Sequence, residues 1–156
     1  MKKLIVLLAL SSLLVGSMAY AIIDDGDNSL GVYSDAPAFE VNCVDATPSV
    51  PASLYFVLAN PTEPDVAGFE FAWAFDPDPT GLYFILGAFL PPDALNIGDN
   101  NNFIVGIGSP IPSTEAVQLV QVDLLFLAPV IADITVGPCS NPSIPGEAAY
   151  VSSAGP

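Results

Sequence analysis

Sixteen prolines are spread along 156 residues, and they restrict this chain more than any other feature. A proline removes an intrahelical hydrogen bond and clashes with the preceding turn, so no segment has room for a long helix. Between the prolines lie short apolar runs, separated by clusters of Gly, Asn, Asp and Pro. Runs of that kind bounded by turn residues read as strands.

The clearest run is Val66 to Phe75. Phe69, Phe71, Trp73 and Phe75 share one face by strict alternation, with Glu70, Ala72 and Ala74 on the other. Four aromatics left exposed on one strand would invite aggregation, so Trp73 is expected in the core. Glu70 then falls on the solvent side. Ser53 to Ala59 places Leu54, Phe56 and Leu58 together, and Asn60-Pro61-Thr62-Glu63-Pro64-Asp65 ends it. Further strands are expected at Leu30 to Tyr33, Phe39 to Val44, Asn102 to Ile107, Ala132 to Val136 and Ala149 to Val151. Val117 to Leu127 sends Val120, Val122, Leu124 and Phe126 inward, with Asp123 facing away; Gln118 interrupts the inward set, so the strand is expected to begin just after it. Leu82 to Leu90 is apolar on both faces, so it is either deeply buried or bent at Gly87. About eight to ten short strands with regular turns make an all-β protein, a single antiparallel β-sandwich.

Lys2 and Lys3 are the only basic residues; arginine and histidine do not occur. Both lysines precede an apolar run, Leu4 to Val15, and small residues at Ala19-Tyr20-Ala21, the three parts of a secretory signal. Cleavage after Ala21 is expected, in preference to a retained membrane helix, which needs a longer uninterrupted run. The chain is then expected to divide into a signal peptide (1–21), an acidic, mobile leader (22–29), a sandwich domain (30–139) and a Pro/Gly/Ser-rich tail (140–156). Loss of the two lysines takes the formal net charge from −15 to −17. Such a chain cannot neutralise phosphates, which removes nucleic acid and anionic membrane surfaces from its partners. Secretion, extracellular or periplasmic, also brings oxidising conditions. Cys43 and Cys139 are the only cysteines, and one internal disulfide between them is expected, with free thiols or an intermolecular link as alternatives.

The same composition thins out the possible chemistry. Activated nucleophiles need a base, phosphoryl transfer needs a cationic clamp, and zinc sites favour imidazole and thiolate. Only paired carboxylates remain, so a carboxylate-only glycosidase is a remote alternative. Calcium takes carboxylate and amide oxygens. Its candidate ligands are Asp76 and Asp78, Asp99 and Asn100 with Asn101 and Asn102, and the leader's Asp24, Asp25 and Asp27. Each cluster also reads as ordinary turn chemistry. Tyr55 and Tyr83, and after them Tyr150, offer flat rings to a sugar.

Val66-Ala67-Gly68-Phe69-Glu70-Phe71, running through Trp73-Ala74-Phe75 into Asp76-Pro77, resembles a strand of cohesin-like domains. The resemblance spans roughly residues 30–136. It implies a non-catalytic jelly-roll that binds a partner protein, or a carbohydrate-binding relative. Gly31-Val32-Tyr33, Cys43, Leu58-Ala59-Asn60-Pro61 and Ser143-Ile144-Pro145-Gly146 are also similar to secreted proteins of environmental bacteria that carry no assigned activity. The expected role is therefore non-enzymatic: a secreted binding or structural domain contacting another envelope or matrix protein. Self-assembly through free sheet edges is a variant of that role, and a carbohydrate-binding module is the alternative.

Overall fold

The computed structural model describes residues 25–44 and 46–155; the signal segment 1–21, the first leader residues and Asp24 lie outside them. Nine strands form two antiparallel sheets that pack face to face. They are β1 (Ser29–Tyr33), β2 (Pro51–Ala59), β3 (Asp65–Asp76), β4 (Tyr83–Phe89), β5 (Ala94–Asn96), β6 (Asn102–Pro112), β7 (Ala116–Phe126), β8 (Asp133–Gly137) and β9 (Ala149–Val151). The first sheet has the order β1-β2-β7-β4, and the second β5-β6-β3-β8 with β9 also on β3. The all-β sandwich read from the sequence is the fold observed.

The interior is aromatic. Phe69, Phe71, Trp73 and Phe75 all point inward from β3, as their alternation requires. Phe56 of the first sheet meets Phe71 at 5.1 Å, Trp73 at 5.8 Å and Phe103 at 6.5 Å between ring centroids. Tilted and edge-on pairs at such separations add to the gain from burial. The indole N–H of Trp73 donates to the Asn100 carbonyl at 3.2 Å, so its one polar atom is satisfied inside the core.

Several elements differ from expectation. Phe39 to Val44 is not a strand. Phe39 has φ 53°, outside the extended region. The Asp35 carboxylate accepts hydrogen bonds from the Glu40 and Val41 amides, and Ser34 Oγ donates to the Cys43 carbonyl at 2.6 Å. These local bonds replace a ladder. The segment becomes a strap whose Phe39 packs with Tyr33 and Val57 on the outer face of the first sheet. The strand β5 was not foreseen. It is three residues long, set by the turn after Pro91-Pro92. The strand β7 starts before Gln118, at Ala116, with a register shift opposite Phe56 and Val57. Leu119 is the extra residue, so Val117 and Leu119 point inward before the bulge and Val120 onward after it.

The cysteines are a further correction. Cys43 is exposed on the strap, Cys139 is buried beyond β8, and both are free thiols. The interior takes up the one sulfur while the strap turns the other toward solvent.

Tyr150 and the serines of the tail, and Asn28 at the end of the leader, are bonded to the sandwich. The Tyr150 hydroxyl of β9 donates to Asn28 Oδ1 at 2.6 Å and accepts from the amides of Thr62 and Glu63. Asn28 Oδ1 in turn accepts from the Thr62 amide at 2.8 Å. Glu70 is covered, contrary to expectation: it is 9% exposed, and its Oε1 accepts from the Ser143 amide at 2.7 Å and from the Ser143 hydroxyl. Asp65 holds Ser152 and Ser153 in the same way.

Glycine is required where backbones approach. A Cβ on Gly98 would sit 1.8 Å from the Asn102 carbonyl oxygen, and one on Gly68 would sit 2.7 Å from that of Val105.

Trp73→Ala is expected to lower unfolding stability by about 3–5 kcal/mol, measured by denaturant titration, because it empties a sealed part of the core. The tail should respond to acid. The Ser153 hydroxyl and then its amide, with a smaller part from Ser152, hold the Asp65 carboxyl below its ordinary value; desolvation opposes them. A depressed folded value means that the ionised form favours the docked tail. That contribution is complete above the usual aspartate range near about 3.9, and is lost as pH falls through the lower folded value. The amide chemical shifts of Ser152 and Ser153, followed from pH 6 to 2, should report that release, and Asp65→Asn should abolish the transition.

Candidate functional site

The two faces of the first sheet differ because side chains alternate across it. In β4 the inward residues are Tyr83, Ile85 and Ala88, which stand beside Phe126, Leu124 and Val122 of β7. A register shift between Ile85 and Gly87 makes Leu86 an extra residue, a bulge immediately before Gly87. The strand is not deeply buried. It is the edge of its sheet, and its outer side chains face solvent: Phe84 is 57% exposed, Leu86 54% and Phe89 56%.

The outer face can be followed row by row through the strand register. Phe84 lies opposite Leu125, which lies opposite Pro51. Gly87 lies opposite Asp123 and Ser53. Phe89 lies opposite Gln121, then Tyr55 and Tyr33. The polar pair Asp123 and Ser53 is thus set between an apolar row and an aromatic row that holds Gln121. Asp123 Oδ1 accepts from Ser53 Oγ at 2.7 Å and from Gln121 Nε2 at 2.9 Å. Among the described residues none donates to Asp123 Oδ2. The half-buried carboxylate therefore keeps one acceptor oxygen for an external donor.

Cover is uneven. Phe39 of the strap packs edge-on against Tyr55 with ring centroids 6.3 Å apart, and together with Tyr33 it seals Val57. The β1–β2 half of the face is closed by that contact. The β7–β4 half is open. Leu82 before β4 and Leu127 after β7, 40% and 47% exposed, extend its apolar border.

The residues singled out from the sequence fall in different places. Tyr83 is no platform. It points inward and meets Phe75 edge-on at 4.9 Å, and burial, helped by the Asp78 charge, raises its phenol above the ordinary value. Tyr55 does lie on the outer face, under the edge of the strap. Tyr150 is a staple between the two ends of the described chain. Phe84 and Phe89 were not singled out; the run of apolar residues on both faces of Leu82 to Leu90 was the signal that could have found them.

The carboxylate clusters serve their turns. Asp78 Oδ2 accepts from Thr80 Oγ1 at 2.8 Å after β3. Asp99 Oδ1 accepts from the Asn101 amide at 3.3 Å between β5 and β6, where Asn100 supplies the carbonyl for Trp73. Asn102 Oδ1 accepts from the Ser140 amide at 2.6 Å. Among the described residues no three acidic or thiol side chains are grouped to hold a metal.

A cavity of about 700 Å³ lies between the β1 and β8 edges of the two sheets, lined by Leu30, Val32, Phe75, Phe126 and Ile134, with Glu40 and Asp133. Those two carboxylates share a cleft, as a glycosidase needs. Both are exposed, however, and a general acid needs a carboxyl enclosed by apolar surroundings. No family model, curated protein or solved structure matches the chain.

The inward and outward faces of β4 give a direct check on this placement. Tyr83→Ala is expected to cost about 2 kcal/mol through lost packing on Phe75. Phe84→Ser and Phe89→Ser should each stay within about 0.5 kcal/mol of the parent, as exposed substitutions do. Denaturation midpoints measured side by side decide it.

Proposed function

We propose that this protein is an exported, non-catalytic β-sandwich domain that docks another protein of the envelope or matrix on the open β7–β4 half of its first sheet. The observation that carries the proposal is the exposure of Phe84, Leu86 and Phe89 on an edge strand flanked by no charged side chain from Leu82 to Leu90. Exposed apolar patches rimmed by polar groups mark interaction surfaces. The edge itself has backbone groups that β7 does not use, and it lacks the lysine or proline that usually protects such a strand. Export rests on the amino-terminal charge and apolar pattern. The absence of catalysis rests on the missing basic groups and on carboxylates that are exposed or spent on serine donors. A cohesin-like identity, suggested by the Val66 to Pro77 stretch of β3, accords with a partner-binding role.

A polysaccharide ligand is the second reading. It is favoured by the Ser53–Asp123 pair lying between the Phe84 and Phe89 rows, with Gln121 beside Phe89, which sets hydrogen-bonding groups among aromatic faces.

A photo-crosslinking residue placed at position 84 or 89, in the native host, is expected to give one saturable protein adduct. The same residue at Glu147, exposed elsewhere, should give none. Retention on a panel of insoluble glycans, lost in Phe89→Ser, with no adduct at either position, would replace the protein reading with the sugar reading.

A further inference from the structure

The open face also says what kind of partner it suits, provided that the docking role proposed above is correct. Its centre is apolar: Phe84, Leu86, Phe89 and Leu125. Set into that centre is Asp123, half-buried, with Oδ1 taken by Ser53 and Gln121 and Oδ2 open. Asp78 lies close enough to Tyr83, the first residue of β4, for its charge to act on the phenol. Asp93 follows the other end of β4, where it is exposed and accepts from Ser109 Oγ at 3.1 Å. Carboxylates therefore stand in the middle of the patch and beyond both ends of its edge strand. No basic side chain exists anywhere among the described residues to answer them.

That charge pattern selects among occupants. A second copy would bring its own Asp123 and its own terminal carboxylates to the same interface, with no cation on either side. Like charges across an interface oppose association and discriminate against wrong partners. A partner strand that turns apolar, basic and apolar side chains in succession to this face meets each feature: apolar groups on Phe84 and Phe89, and a cation between them on Asp123 Oδ2. The unpaired edge of β4 favours an extended segment, since strand addition supplies backbone hydrogen bonds while alternate side chains read one face. We infer that the β7–β4 face binds an extended protein segment added as a strand beside β4, in which the successive side chains turned to the patch are apolar, basic and apolar, the cation lying on Asp123.

The test uses the full chain and synthetic ten-residue peptides in which every second residue alternates between valine and lysine, with threonine in between, so that both types fall on one face of the added strand. A valine–glutamate peptide and a shuffled valine–lysine peptide of equal charge serve as controls. Calorimetric titration at two salt concentrations, with amide exchange of β4, gives the readout. The alternating basic peptide is expected to bind more weakly at high salt and to slow exchange at Phe84 and Leu86. The double variant Phe84→Ser/Phe89→Ser should lose at least about tenfold in affinity, and Asp123→Asn several-fold, with both variants retaining the parent's unfolding midpoint.

Equal binding of the shuffled peptide, or unchanged binding by the double serine variant, would mean a general attraction to an acidic chain and would overturn the inference. Binding of the valine–glutamate peptide, or self-association, lost in the double serine variant would leave the docking face standing but remove its basic partner. No peptide binding together with unchanged exchange in β4 would remove both.

Discussion

The contact between Phe56 and the aromatic side of β3 is the interaction on which the rest of this structure depends. One ring from the first sheet enters a nest of Phe71, Trp73 and Phe103 from the second. The chain has few other means of joining the sheets: its described residues carry no cation, so no salt bridge is available. Burial and ring packing must hold together a domain whose surface charges all repel one another. That explains why the interior is aromatic rather than merely aliphatic. It also explains why carboxylates near the sheets are engaged by serine, glutamine and amide donors instead of basic groups. Glu70 with Ser143, Asp65 with Ser153, and Asp123 with Ser53 repeat a single solution.

Two bulges decide which residues are available to a partner. The extra residue in β7, Leu119, lets both Val117 and Val120 enter the core. The extra residue in β4, Leu86, lets Ile85 and Ala88 both face inward and leaves Phe84 and Phe89 on one outer surface. Without the second bulge, alternation would put Gly87 inward and Ala88 outward. The apolar patch is thus a consequence of local backbone irregularity acting on an uncharged stretch.

Much of the sandwich was legible because a strand has a period of two. The alternation of Phe69, Phe71, Trp73 and Phe75 marked the central strand and its buried face, and Leu54, Phe56 and Leu58 marked its counterpart in the other sheet. What was hidden was non-local. Glu70 does lie on the outward face that alternation assigns; only the return of Ser143, seventy-three residues later, covers it. The strap reads as a strand by composition, yet the Asp35 carboxylate offers its amides a closer partner. Tyr83 looked like a ring for an external ligand because the pattern around it is apolar on both sides, and only its register against Phe126 settles its direction. The candidate face was visible as a run of apolar residues, but its edge position was not.

The corner where Tyr150 meets Asn28 and Thr62 brings the beginning and the end of the described fold within hydrogen-bonding reach. Both ends of the strand sequence leave the sandwich at that corner, whereas β4 lies at the far edge of its sheet, three strands from β1. The described chain thus enters β1 and leaves β9 at a corner away from the β4 surface.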